Sequence, residues 1–153
     1  MPTPEQRLAE LGIEIPDVVA PLASYVPAVR SGSYVYTSGQ VPMVKGQMPV
    51  TGKVGAEVDP DTAKDCARVC ALNALAAVRS ITGDLSAVTR VVKVVGYVAS
   101  DPSFTGQPGV VNGASDLLGQ VFGDAGIHAR SAVGVVALPL DAPVELELIV
   151  EVG

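Results

Sequence analysis

Residues 128–152, HARSAVGVVALPLDAPVELELIVEV, concentrate the side chains best suited to chemistry. They hold His128, the chain's single histidine, and Arg130 at the head of an apolar run. Beyond a proline loop come Glu145, Glu147 and Glu151, on a strand expected to return beside the one that Arg130 opens. A guanidinium keeps its charge and offers a planar fork of donors, so Arg130 could hold a carboxylate ligand by two hydrogen bonds. It could equally close a structural ion pair with Glu145 or Glu147 across strands. Glu145 and Glu147 have the same parity and therefore point to one side of an extended segment. Glu147 and Glu151 read as solvated or paired, which leaves Glu145 as the carboxylate for the site. His128 follows a glycine loop with no Ser–His–Asp order around it, which favours a rim or interface position over a general base.

The other candidate groups are weaker. Ser38, in TSGQ, lacks the G-x-S-x-G elbow of a nucleophile and suits a hydrogen-bond donor to a carboxylate better. The glycines between residues 46 and 55 are too scattered to cradle a phosphate. Cys66 and Cys70 are four apart in an apparent helix, a poor disulfide and half a metal site, so buried reduced thiols are expected. Neither metal nor cofactor is implied.

With 153 residues, 48% hydrophobic and 17% charged, the chain is long enough for one domain with a substantial core. No apolar run reaches the roughly 18 residues of a membrane-spanning helix. The polar start, MPTPEQRLAELG, lacks the basic and apolar regions of a secretion signal and reads as a short helix, so a cytoplasmic location is expected. Thr3 would cap this helix, with Gln6 completing a capping box and Gly12 ending it. A formal charge of −6 and 4% aromatic residues disfavour a nucleic-acid partner.

Two strands around Ser31-Gly32-Ser33 are predicted within residues 24–42, followed by a glycine-rich loop over 43–56. Asp59 and Pro60 open a helix whose apolar positions recur from Ala63 to Ile81, and Gly83 closes it. Residues 89–99 are β-branched and form a strand. A second helix carries Val110, Ala114, Leu117, Leu118 and Val121 on one stripe, and strands over 131–138 and 144–152 complete the chain. The order β-β-α-β-α-β-β implies an α+β domain, a single sheet with two helices packed on one face.

That arrangement leaves a face uncovered. Residues 89–99 place Val91 and Val95 on one side and Val92, Val94 and Val98 on the other. The following strand sets Val133 and Val135 against Ala132, Val136 and Leu138. Two helices cover one such face, and a solvated second face would alternate apolar with polar. The patterning predicts that another copy of the chain buries it.

The order of elements, YVYTSGQVP and the closing ARSAVGVVALPLDAPVELELIVEV resemble the YjgF/RidA family of reactive-intermediate deaminases, long catalogued as "endoribonuclease L-PSP". The most specific pieces are TSGQ and the spacing R-S-x6-L-P, with acidic residues six and eight beyond Pro139. The resemblance covers residues 20–153 and leaves 1–19 as an amino-terminal extension of a single domain. It implies a chorismate-mutase-like fold and a homotrimer with clefts between subunits. There Arg130 would bind the carboxylate of a 2-imino or 2-aminoacrylate substrate and Glu145 would hold the attacking water. Tyr25, Ser38 and Gly39 would line the cleft, and Asn112 its rim. Ala132 stands where active deaminases commonly have cysteine, and ASYVPAV departs from the family's G-P-Y pattern. The implied activity is hydrolysis of enamines or imines to 2-keto acids and ammonia. The alternative is a non-catalytic trimer that binds small carboxylates or protein partners; ribonuclease action fits poorly with the −6 charge.

Overall fold

The computed structural model describes residues 1–18 and 24–153. The border expected near residue 19 lies outside the described residues. The helices are α1 (Pro4–Leu11), α2 (Pro60–Thr82) and α3 (Gln107–Phe122). The strands are β1 (Ala28–Ser31), β2 (Tyr34–Thr37), β3 (Val88–Ala99), β4 (Ala129–Val135) and β5 (Val144–Val152). After α1 the order is β-β-α-β-α-β-β, as the sequence predicts.

Local chemistry sets the boundaries. Thr3 and Gln6 form the reciprocal capping box of α1, and Gly12 ends it with a φ of 69°. The Asp59 carboxylate accepts from the Thr62 N–H at the start of α2, with Pro60 in the first turn and Gly83 at its end. Gly32 supplies the positive φ, 59°, that the two-residue β1–β2 hairpin needs. Cys66 and Cys70 are free and buried on α2.

The sheet order is β1-β2-β5-β3-β4. Parallel neighbours require a crossover, and α3 provides it between β3 and β4; every other pair is antiparallel. The chain then passes over the end of β3, where the Ala99 N–H donates to the Pro143 carbonyl, and β5 enters between β2 and β3. The last strand therefore does not return beside β4, as the sequence suggested. β3 separates them, because β4 leaves the crossover at the sheet edge.

Helices α2 and α3 cover one face, over Val35, Val91, Val94, Val98, Val144, Leu146, Leu148 and Val150. Val91 differs from the expectation that set it opposite Val94 and Val98. Register shifts at Val88/Arg90 and Val91/Lys93 insert extra residues into β3, and each flips the alternation, so all three valines are fully buried on the helix side. Along β5 burial alternates strictly, which leaves Glu145, Glu147, Ile149 and Glu151 facing away from the helices. That open face also carries Val29, Tyr34, Tyr36 and Val133, exposed by 50, 39, 42 and 43%. The helix layer is tightly set: a Cβ on Gly113 of α3 would land on the Lys64 carbonyl of α2.

Candidate functional site

Arg130 is the second residue of β4, in register with Val94, and its side chain turns toward the helix layer. Its Nη1 donates to Asn112 Oδ1 at 2.7 Å and to Ser115 Oγ at 3.2 Å, and its Nη2 donates to the Pro108 carbonyl at 3.3 Å. All three acceptors belong to α3, so the crossover helix that places β4 also fixes the guanidinium. None of these acceptors is charged. The ion pairs among the described residues are Lys53–Asp141, Lys64–Asp116 and Arg79–Glu5, so the alternative of an Arg130–glutamate pair is not realised within the chain. An arginine has five N–H donors. Here the Nε–H and one Nη2 hydrogen keep no acceptor among the described residues. Ala132, two residues on, shares this face and is in register with Gly96. Gly96 has no room for a side chain, because a Cβ there would meet Val111 of α3 at 2.5 Å.

A second group gathers on the other side of the sheet. Glu145 is in register with Tyr97, and Glu147 with Val95. The Tyr97 hydroxyl donates to Glu147 Oε1 at 2.5 Å. That bond, with burial and the charges of Glu147 and Glu145, pushes the Tyr97 phenol up to about 12. Burial and the neighbouring Glu147 raise the Glu145 carboxyl above its usual range. Gly39 lies against this carboxylate, where an added Cβ would be 2.7 Å from Glu145 Oε2. Ser38 ties the chain before β1 to the end of β2. Its N–H donates to the Pro27 carbonyl at 2.8 Å and its hydroxyl to the Val26 carbonyl at 2.6 Å. The hydroxyl proton is thus engaged inside the chain, not offered outward to a carboxylate as expected, because Val26 presents a group that can only accept. Tyr25 precedes that anchor and is 52% exposed.

The residues singled out from sequence therefore fall into two groups. Arg130, Asn112 and Ala132 lie on the helix side of the edge strand; Glu145 and Gly39 lie together on the other, with Ser38 beside Gly39 in the chain and Tyr25 next to the Val26 that Ser38 holds. Sequence reasoning missed Ser115 and Tyr97. Ser115 lies three residues after Asn112, one helical turn along α3, and that spacing could have flagged it. Tyr97 could not be paired with Glu147 until the register of β3 against β5 was known. His128, expected at a rim, bridges the Gly126 carbonyl and Ser115.

The family described as "YjgF/chorismate_mutase-like, putative endoribonuclease" matches residues 5–152. The chain belongs to this family. The match begins ahead of residue 20, where the resemblance read from motifs starts. Protein TCP17 of Trypanosoma cruzi is 44% identical over 148 residues, spanning 96% of this chain and 92% of that protein. Among solved structures, Atu1372 of Agrobacterium tumefaciens, of unknown function, is 48% identical with a TM-score of 0.91, over 98% of this chain and 92% of that one. TdcF of E. coli, solved with bound serine, is 27% identical with a TM-score of 0.60, over 90% of this chain and 93% of that one. Both solved structures share the α+β single-sheet fold described above.

Proposed function

We propose that the protein hydrolyses reactive imines and enamines of amino-acid origin to 2-keto acids and ammonia, in clefts between the subunits of a homotrimer. The observation that carries this reading is Arg130: half-buried, held by three neutral acceptors on α3, with two donors still unengaged. A planar fork of this kind suits the carboxylate of a 2-imino acid. The serine bound to TdcF, itself a small amino acid, supports a ligand of that class.

Glu145 is the partner group in the reaction. An enamine first takes a proton on its β-carbon and gives one up from nitrogen to become the imine. Water then adds its oxygen to the imine carbon, and the C=N bond becomes a C–N bond with the proton on nitrogen. The hydroxyl proton of this carbinolamine passes to nitrogen, the C–N bond breaks with its electron pair leaving on nitrogen as ammonia, and the keto group forms. Glu145, with its carboxyl held above the usual range, is suited to orient the water and move the proton between oxygen and nitrogen. The imine is already electrophilic, so positioning supplies most of the acceleration.

Arg130 and Glu145 sit on different faces of one protomer's sheet, with β3 between their strands, so one cleft would combine the arginine of one copy with the glutamate of the next. The exposed apolar residues of the open face, Val29, Tyr34, Tyr36 and Val133, support burial against further copies. A cytoplasmic site of action belongs to the same proposal. Among the described residues no helix is long and apolar enough to cross a membrane.

The test couples the protein to an amino-acid oxidase and follows decay of the imine it releases. Faster decay with the native protein, lost in Arg130→Ala, is expected. Stabilisation by 2-oxobutanoate without faster decay would make the protein a carboxylate-binding trimer instead, and RNA cleavage lost in the same variant would favour the family's older label.

A further inference from the structure

The surroundings of Arg130 contain a hydrogen-bonded chain that the reaction above does not use. The Arg130 Nη1 donates to Ser115 Oγ at 3.2 Å, Ser115 Oγ lies 2.9 Å from His128 Nε2, and His128 Nδ1 lies 2.6 Å from the Gly126 carbonyl. With a neutral imidazole, its two ends fix the protons in between. A carbonyl can only accept, so His128 carries its proton on Nδ1 and donates to Gly126. Neutral imidazole then presents a bare Nε2, which can only accept from the Ser115 hydroxyl. A guanidinium can only donate, so Ser115 receives the Arg130 hydrogen on its oxygen. With the ring neutral, the direction is Arg130 to Ser115 to His128 to Gly126.

The geometry points to Ser115 and His128 as positioning residues that aim the Arg130 fork, an inference that rests on Arg130 holding a carboxylate. Asn112 and Ser115 occupy one face of α3 a turn apart, and each takes one of the two Nη1 hydrogens. The Pro108 carbonyl takes one Nη2 hydrogen. Together they fix the guanidinium plane, and the Nε–H and remaining Nη2 hydrogen are left for a ligand. Asn112 binds through an amide that can rotate to offer its NH2 instead. Ser115 has no such freedom, because His128 orients its hydroxyl and Gly126 orients His128. Gly126 is itself packed closely against α3, since a Cβ on it would land on the Leu118 carbonyl. The chain therefore runs from a closely packed backbone point to the arginine, and neither Ser115 nor His128 need touch the ligand.

The test measures binding of 2-oxobutanoate and of its uncharged analogue 2-oxobutanamide to the full-length protein and its variants. Ser115→Ala should weaken the acid about tenfold, the scale of one lost hydrogen bond to a charged group, while the amide changes less than about twofold. Ser115→Thr, which keeps the hydroxyl, should hold the acid within about threefold of native. Should Ser115→Ala fail to fold, His128→Phe keeps a ring of similar bulk without its nitrogens and should show the same selective loss. Native-like acid binding in Ser115→Ala or His128→Phe overturns the inference, as does equal loss of acid and amide. Arg130→Ala separates the two levels. If it binds the acid as the native protein does, the carboxylate-holding role itself fails; if it loses the acid while Ser115→Ala does not, only the positioning role fails.

Discussion

Arg130 and Glu145 lie on opposite faces of the sheet with one strand between theirs. Arg130 of β4 shares its side with Val94 and the helices, whereas Glu145 of β5 shares its side with Tyr97 and the open surface. A single protomer thus offers a cation in one place and a carboxylate in another. Each has close neighbours of its own, and neither neutralises the other.

The carboxylate group makes a prediction about alkaline pH. Tyr97 has its phenol pushed up to about 12 in the folded protein, first by its bond to Glu147, against an ordinary value of about 10. The folded state therefore keeps this proton longer than the unfolded chain does. The stability from this bond is complete below about pH 10 and is lost as pH rises from there through about 12. Urea midpoints of the native protein should fall across that window more steeply than those of Tyr97→Phe. Parallel slopes would show that Tyr97 does not hold its proton against Glu147.

Gly39 makes a kinetic one. A Cβ there would stand 2.7 Å from Glu145 Oε2, so Gly39→Ala must displace the carboxylate. Shifts of about an ångström at a reacting group cost on the order of 10- to 100-fold in rate. Imine hydrolysis by Gly39→Ala should fall on that scale, with 2-oxobutanoate binding kept, because Arg130 is untouched. Equal loss of both would place Gly39 in ligand binding instead.

Much of the fold was legible because its signals are local. Thr3, Asp59, Pro60 and Gly83 mark helix ends by their own chemistry, and the structure uses each as expected. The valine-rich strands announced an uncovered face for the same reason. Two features were not legible. The extra residues in β3 that bring Val91 to the face of Val94 arise from pairing with β5, and β-branched residues read alike on either face. The placement of β3 between β4 and β5 is a topological fact that no single residue encodes. With it hidden, Glu145 seemed a neighbour of Arg130. The types and identities of the candidate residues could be read from sequence; their division into two groups required the sheet order.

That division is tested most directly by mixing subunits. Arg130→Ala and Glu145→Ala would each be inactive alone. In a trimer joined head to tail, a cleft drawing its arginine from one copy and its glutamate from the next is intact in about a quarter of cases when the two variants are denatured and refolded together in equal amounts. Imine hydrolysis in the mixture should recover to about a quarter of the native rate. No recovery, with both variants folded and shown to exchange subunits, would contradict it.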